Sequence, residues 1–95
     1  MAVVNPNLQS GEQPMNSETV LFVKGVVANA LELPLERVQA SDSIETMEAW
    51  DSLGHLNILV ALDKKLSGKV AKIPDFADAT SIQKLADLLE QHRLI

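Results

Sequence analysis

The chain has 95 residues, no cysteine and a formal net charge of −5, because 13 Asp and Glu outnumber 8 Lys and Arg. The acidic balance argues against nucleic acid and anionic lipid as partners, and the missing thiols exclude disulfides, Cys-ligated metals and thiol catalysis. No apolar run reaches the ~20 residues that a membrane-spanning helix needs. We therefore expect one small, soluble, cytoplasmic and monomeric domain with an aliphatic core, since aromatic residues make up only 3% of the chain.

The N-terminal residues differ in composition from the rest of the chain. Residues 1–16 contain two of the four prolines and no apolar periodicity, which predicts a flexible tail followed by a domain over residues 17–95. From Ser17, the expected N-cap, helical spacing predicts a first helix that ends before Pro34. Its buried face is predicted to contain Val20, Phe22, Val23, Val26, Val27 and Leu31.

A long loop is predicted from Pro34 to about Trp50. Loops of this length without secondary structure are usually functional. Ile44 is expected to plug the helical core and so to fix where Trp50 delivers the chain to the next helix. The full set of residues expected to attach the loop to the core is Leu35, Val38, Ile44 and Met47.

The second helix is predicted to begin at Asp51 or Ser52 and to end at Ser67-Gly68, with Gly68 in the left-handed conformation. Its buried seam is predicted to consist of Leu56, Leu59, Leu62 and Leu66.

A short helical turn is predicted at Pro74-Asp75 and a last helix from Thr80, whose spacing to Gln83 suits a capping box. The apolar face of this last helix is predicted to be Ile82, Leu85, Ala86 and Leu89. No segment alternates strongly enough to predict a strand, so the fold class is all-α.

The segment Glu48-Ala49-Trp50-Asp51-Ser52-Leu53-Gly54-His55-Leu56 is the most informative part of the sequence. In the simplest interpretation, Ser52 is a helix cap. In the functional interpretation, Ser52 carries a phosphate ester, because a helix N-terminus offers unpaired N–H groups and a partial positive charge to an anion. Gly54 favours the second interpretation. A glycine there costs about 1 kcal/mol relative to alanine, which a need for clearance beside Ser52 would explain.

Neither hydrolysis nor metal binding is expected at this segment. Asp51, Ser52 and His55 lie in one helix start, whereas the members of a hydrolytic triad converge with the histidine between serine and acid. His55 is expected at the surface or against the loop. His55 and His92 are the only histidines and do not have the spacing of a metal site.

Asp51-Ser52-Leu53, which opens an amphipathic helix after a long loop, resembles the phosphopantetheine-attachment motif of acyl carrier proteins. The resemblance covers about residues 18–89 and makes the short motif specific. It implies a four-helix bundle with three main helices, a short third helix and a long loop between helices 1 and 2. The other matching features are the helix end at Leu31–Leu33, the Leu35–Val38 turn, Ile44, Ile73-Pro74 and Ser81-Ile82.

The resemblance also implies a function. Ser52 would receive 4′-phosphopantetheine covalently from coenzyme A, with Asp51 and Leu53 completing the cofactor site, and acyl groups would travel as thioesters on its terminal thiol. The chain would then be a carrier and not an enzyme, and Asp51 would cap the second helix and help to place the modifying enzyme. Its partners would be a phosphopantetheinyl transferase and the enzymes that load and transfer acyl groups. The implied partner surface comprises Leu53, Gly54, His55, Asn57 and Val60.

Two features distinguish the chain from carriers of fatty acid synthesis. The second helix is less acidic, because Gly54 and Asn57 stand where those carriers commonly have acidic residues and Lys64-Lys65 follow Asp63. In addition, the connector over residues 67–72 is longer and the turn over residues 74–79 is shorter than in those carriers. The sequence is more similar to stand-alone carriers of specialised pathways, such as polyketide or other acyl-transfer systems. Two alternatives remain open. One is a peptidyl or aminoacyl carrier, which more often has a Gly-Gly pair in place of Trp50-Asp51. The other is an unmodified helical adaptor.

Overall fold

A computed structural model describes residues 17–94, so the predicted tail over residues 1–16 lies outside the described residues. The three α-helices of this part are α1 (Ser17–Ala30), α2 (Ser52–Lys65) and α3 (Ile82–Gln91). Three short 3-10 turns join them: the Leu35 turn (Leu35–Arg37), the Val70 turn (Val70–Lys72) and the Pro74 turn (Pro74–Asp78). Between residues 17 and 94 there is no β-strand and only an isolated bridge between Ser43 and Ser81. The all-helical prediction is confirmed.

The core lies between α1, α2 and α3. The predicted apolar face of α3 is confirmed, because all four of its residues are fully buried. On α1, Val23, Val26 and Val27 are buried, and the other predicted positions pack against the core as partly buried residues. Two large aromatic side chains, Trp50 and Phe76, complete the core at the ends of the segments that flank α2.

The predicted seam of α2 is wrong in part. Leu56 is 55% exposed, and the buried residues of this helix are Gly54, His55, Ile58 and Leu62. Leu59 and Leu66 are only partly buried. The leucines of α2 occupy more than one helical stripe, and periodicity alone does not determine which stripe packs against α1.

Each α-helix ends in the same way. The amide of Leu33 donates to the carbonyl of Ala28, that of Gly68 to Asp63 and that of Leu94 to Leu89. Such bonds, from a residue to the carbonyl five positions earlier, characterise the Schellman motif, which needs a left-handed residue just before the donor. Here those residues are Glu32, Ser67 and Arg93, with positive φ angles of 58°, 59° and 55°. Gly68 is left-handed as predicted, with φ 82°, but Ser67 is left-handed too.

The start of α3 differs from the predicted capping box. Ser81 is the N-cap, and its Oγ accepts a hydrogen bond from the amide of Lys84 at 3.0 Å. Thr80 has another role, because its carbonyl accepts the amide of Ile44 at 2.9 Å. The amide of Ile82 bonds in turn to the carbonyl of Asp42. Thr80, which precedes the N-cap, therefore helps to hold the loop and does not cap α3.

The long loop is attached to the core by fewer side chains than predicted. Val38 is buried and Met47 is partly buried against the core, as expected. Leu35 and Ile44, however, are exposed, and Ile44 is not the predicted plug. The backbone bonds at Ile44 and Ile82 hold the loop against the start of α3 instead. Because backbone groups of any sequence can form such bonds, the apolar pattern of the loop did not reveal them.

Truncation of Ile44 should therefore have a smaller effect than a core truncation. Ile44 is 36% exposed, so Ile44→Ala is expected to lower the free energy of unfolding by about 1 kcal/mol or less. Denaturant unfolding of Ile44→Ala and of Val38→Ala, whose parent side chain is buried, measures the difference. A loss of more than about 2 kcal/mol for Ile44→Ala would show that this side chain does plug the core.

Candidate functional site

The start of α2 is capped by Asp51 and not by Ser52. Asp51 has an extended backbone, and its Oδ1 accepts the amide of Gly54 at 2.8 Å. Ser52 is the first residue of the helix and is exposed. Its hydroxyl makes no hydrogen bond within residues 17–94, so the capping interpretation of Ser52 is wrong for this structure.

Substitution of Asp51 and substitution of Ser52 should have different effects on the free energy of unfolding. Asp51→Ala is expected to lower the free energy of unfolding by about 1 kcal/mol, because the amide of Gly54 loses its acceptor. Ser52→Ala is the matched control and should change the stability by less than about 0.5 kcal/mol. Chemical denaturation of both variants tests the assignment, and equal losses would contradict it.

Gly54 is buried, but the clearance it provides is not beside Ser52. A Cβ built at this position would lie 2.5 Å from the backbone oxygen of Ala49 and 2.9 Å from Cδ2 of Leu31. The glycine thus lets the first turn of α2 approach the end of the loop and the end of α1. The expectation that Gly54 forms partner surface is wrong, because the residue lies inside this contact.

His55 is buried, so of its two expected positions, at the surface or against the loop, only the contact with the loop is observed. The side chain is 7% exposed, and its ring lies beside that of Trp50 at an interplanar angle of 18°, with ring centroids 6.1 Å apart. Nε1 of Trp50 donates to Nδ1 of His55 at 3.2 Å, and Nε2 of His55 lies 3.0 Å from the carbonyl oxygen of Phe76. An indole nitrogen can only donate and a carbonyl can only accept. These partners therefore assign His55 as the neutral tautomer with its proton on Nε2.

The exposed face of α2 is apolar near Ser52. Leu53 and Val60 are exposed, as the predicted partner surface requires, and Asn57 lies between them along the helix. Leu56 belongs to this surface as well. Sequence reasoning assigned Leu56 to the core, although the same helical spacing places residues 53, 56 and 60 on one face.

The three kinds of comparison with known proteins find no relative. No protein-family model matches the chain, and neither a curated protein nor a solved structure is significantly similar to it.

An apolar groove of about 450 Å³ lies between α2 and the Val70 and Pro74 turns. One wall is formed by α2, through Leu56, Leu59 and Val60, and the other by the turns, through residues that include Ile73 and Phe76. The groove begins one helical turn after Ser52 and extends toward the C-terminal end of α2. The sequence pattern did not predict it, because a groove depends on how two segments are spaced.

Two side-chain hydrogen bonds join α2 to the turns that form the far wall of this groove, counting only the part of the chain that the structure describes. One is the contact of His55 with the carbonyl of Phe76, close to Ser52. The other is at the far end, where Oδ1 of Asp63 accepts the amide of Ala71 at 2.9 Å. The wall is therefore held to the helix at both ends.

The charges along α2 and the Val70 turn are mostly positive. Asp63 is the only acidic residue of α2, and it is engaged with Ala71. Exposed lysines follow at Lys64, Lys65, Lys69 and Lys72. The face that starts at Ser52 is therefore neutral and apolar at its beginning and basic at its end. The net charge of −5 for the whole chain does not indicate this basic end.

Residues 17–94 contain neither a metal-binding cluster nor a helix that could span a membrane. No cluster of three or more His, Asp or Glu side chains in this range is arranged to hold a metal ion. None of the helices there is long and apolar enough to cross a membrane.

Proposed function

We propose that the protein is an acyl carrier protein that bears 4′-phosphopantetheine on Ser52. The observation that carries this proposal is the Ser52 hydroxyl, which is exposed at the start of a helix and is not needed as a cap. A capping serine would have its oxygen engaged with the backbone. Here Asp51 makes that bond, and the hydroxyl of Ser52 is available for modification.

The surroundings of Ser52 suit an attached anion. Ser52 lies at the positive end of the α2 dipole, and the helix has no acidic residue in its first turn. A phosphate ester at this position would be stabilised by the dipole. The modification joins Ser52 Oγ to the phosphorus that bears pantetheine and breaks the pyrophosphate bond of coenzyme A. Adenosine 3′,5′-bisphosphate leaves, and a base of the transferase takes the hydroxyl proton.

The groove beside α2 suits an apolar cargo. It lies within reach of an arm attached at Ser52, because Val60 is eight residues along the helix, or about 12 Å at 1.5 Å per residue. In a carrier, the Pro74 turn would be the short third helix of the four-helix bundle. The acyl chain would then lie between this turn and α2, where the groove lining is apolar.

The partner enzymes would dock on the exposed face of α2. Leu53, Asn57 and Val60 offer apolar and neutral contacts, and the first turn of α2 contains no acidic residue. We therefore propose a carrier of a specialised acyl-transfer pathway, such as polyketide synthesis, in the cytoplasm. Such a carrier is not itself an enzyme; the transferase and the acyl-loading and acyl-transferring enzymes supply the chemistry.

Intact mass spectrometry tests the modification. The chain is incubated with coenzyme A and a phosphopantetheinyl transferase of broad specificity, and the expected product carries one phosphopantetheine per chain. Ser52→Ala should gain no mass. Ser41→Ala is the matched control, because Ser41 is also exposed but lies outside the helices, and this variant should be modified like the wild type.

The outcomes separate the proposed function from its alternatives. Wild-type protein that keeps its unmodified mass with several transferases would contradict a carrier and favour a helical adaptor, whose binding surface would be the same exposed apolar face. A modified chain that is loaded by an amino-acid-adenylating enzyme, and not from acyl donors, would identify an aminoacyl or peptidyl carrier.

A further inference from the structure

We propose that His55 is a positioning residue that couples the occupancy of the groove to the geometry of Ser52. This inference rests on the proposed function and goes beyond it, because it assigns a role to a buried side chain that neither carries the arm nor contacts a partner. Its basis is the pair of hydrogen bonds that the imidazole makes in opposite directions.

The first bond determines how the loop enters α2. Trp50 is the last loop residue before the cap Asp51, and its indole Nε1–H bonds to Nδ1 of His55. Because Trp50 is almost completely buried, its backbone cannot move without disturbing this contact. The imidazole therefore fixes the direction in which the backbone runs from Trp50 into Asp51 and Ser52 at the start of α2.

The second bond holds one wall of the groove. Nε2–H of His55 bonds to the carbonyl oxygen of Phe76, and the side chain of Phe76 lines the groove. A chain that enters between α2 and the Pro74 turn presses on this wall. Any displacement of the turn either breaks the bond to Phe76 or moves the imidazole with it.

These two bonds connect the groove with Ser52 through one rigid ring. A buried donor left without its acceptor is costly, so the imidazole follows the carbonyl of Phe76 when the turn moves. Its Nδ1 then changes position relative to the indole of Trp50. By thermodynamic reciprocity, the arrangement of the helix start that a partner enzyme selects also favours one state of the groove.

Two substitutions of His55 each keep one of its two hydrogen bonds and remove the other. In His55→Asn, the amide oxygen can occupy the place of Nδ1, so the acceptor for Trp50 is kept and the bond to Phe76 is lost. In His55→Gln, the longer amide can reach the carbonyl of Phe76 as Nε2 does, and the acceptor for Trp50 is lost. A merely structural role of His55 would predict similar behaviour of the two variants.

The experiment loads wild type and both variants with octanoyl- or acetyl-phosphopantetheine, transferred from the corresponding acyl-coenzyme A. Intact mass confirms loading. In ¹H–¹⁵N spectra, the amide of Ala77, which lines the groove, reports entry of the chain, and the indole N–H of Trp50 reports the helix start. The acetyl form is the control, because its chain is too short to fill the groove.

The expected result has three parts. In the wild type, octanoyl shifts both the Ala77 and the Trp50 signals relative to acetyl. In His55→Asn, Ala77 shifts but Trp50 does not. His55→Gln accepts the arm about tenfold more slowly than His55→Asn, because a displaced helix start presents Ser52 in the wrong orientation.

The inference is overturned if octanoyl leaves either wild-type signal unchanged, or if Trp50 shifts in His55→Asn as it does in the wild type. Equal modification rates of the two variants overturn it as well. The wild-type spectra alone can overturn the inference, even if a variant does not fold. Failure of all transfer to Ser52 is a different result, since it removes the proposed function and the inference together.

Discussion

Replacement of Leu62 by alanine is expected to lower the free energy of unfolding by about 2–5 kcal/mol, the range for truncation of a large core side chain. Leu62 is fully buried in α2 and belongs to the cluster that α1 and α3 complete. Its removal loses apolar burial and leaves a cavity that the surrounding helices fill only in part. Urea or guanidinium denaturation at constant pH measures the loss.

Leu56→Ala is the matched control for this prediction. It makes the same change in the same helix, but the parent side chain is 55% exposed, so the expected loss is within about 0.5 kcal/mol. The pair thus tests which stripe of α2 faces the core. Similar losses for the two variants would show that a different stripe of α2 packs against the core.

Replacement of Gly54 by alanine is expected to destabilise the protein by about 1–3 kcal/mol, although alanine is the better helix former. The added methyl group would overlap the carbonyl oxygen of Ala49, which is backbone and cannot rotate away. Relief requires the loop end to move from the first turn of α2. Since that movement displaces Asp51, the variant should also be a poorer substrate for modification of Ser52 than the wild type.

Gly25→Ala, in α1, is expected to have the opposite effect on stability. A Cβ at Gly25 would meet no atom within 4 Å, so helix propensity alone should stabilise this variant by up to about 1 kcal/mol. Thermal melts of the two glycine variants should move in opposite directions. A stabilised Gly54→Ala would mean that the approach of Ala49 to α2 is not as close as the structure has it.

Some parts of the fold that follow from local patterns were predicted correctly, although the N-cap of α3 is Ser81 and not Thr80, and Leu56 is exposed. α3 has a single apolar stripe, so its buried face could be identified from spacing, and Asp51 is at the start of α2 as predicted. The exposed position of Ser52 was implicit in the interpretation of this residue as an attachment point.

The remaining errors concern contacts between segments that are distant in the sequence. His55 was expected at the surface or against the loop, and its contact with the loop residue Trp50 is observed. Its burial and its acceptor at Phe76, 21 residues away, were not predicted, because an isolated histidine in a helix gives no indication of a distant partner. Ile44 was placed in the core because it is an apolar residue in an otherwise polar stretch, whereas its backbone bond to Thr80 has no side-chain signature. The groove beside α2 depends in the same way on the position of the Pro74 turn relative to the helix.

The contact between Trp50 and His55 gives the protein an optical probe at its candidate site. Trp50 is the only tryptophan in the sequence, it is 1% exposed, and it is two residues from Ser52. Its emission wavelength reports the polarity around the indole, and its intensity responds to the imidazole that is hydrogen-bonded to it. Events at the start of α2 can therefore be followed by intrinsic fluorescence in the unlabelled chain, with no contribution from a second tryptophan.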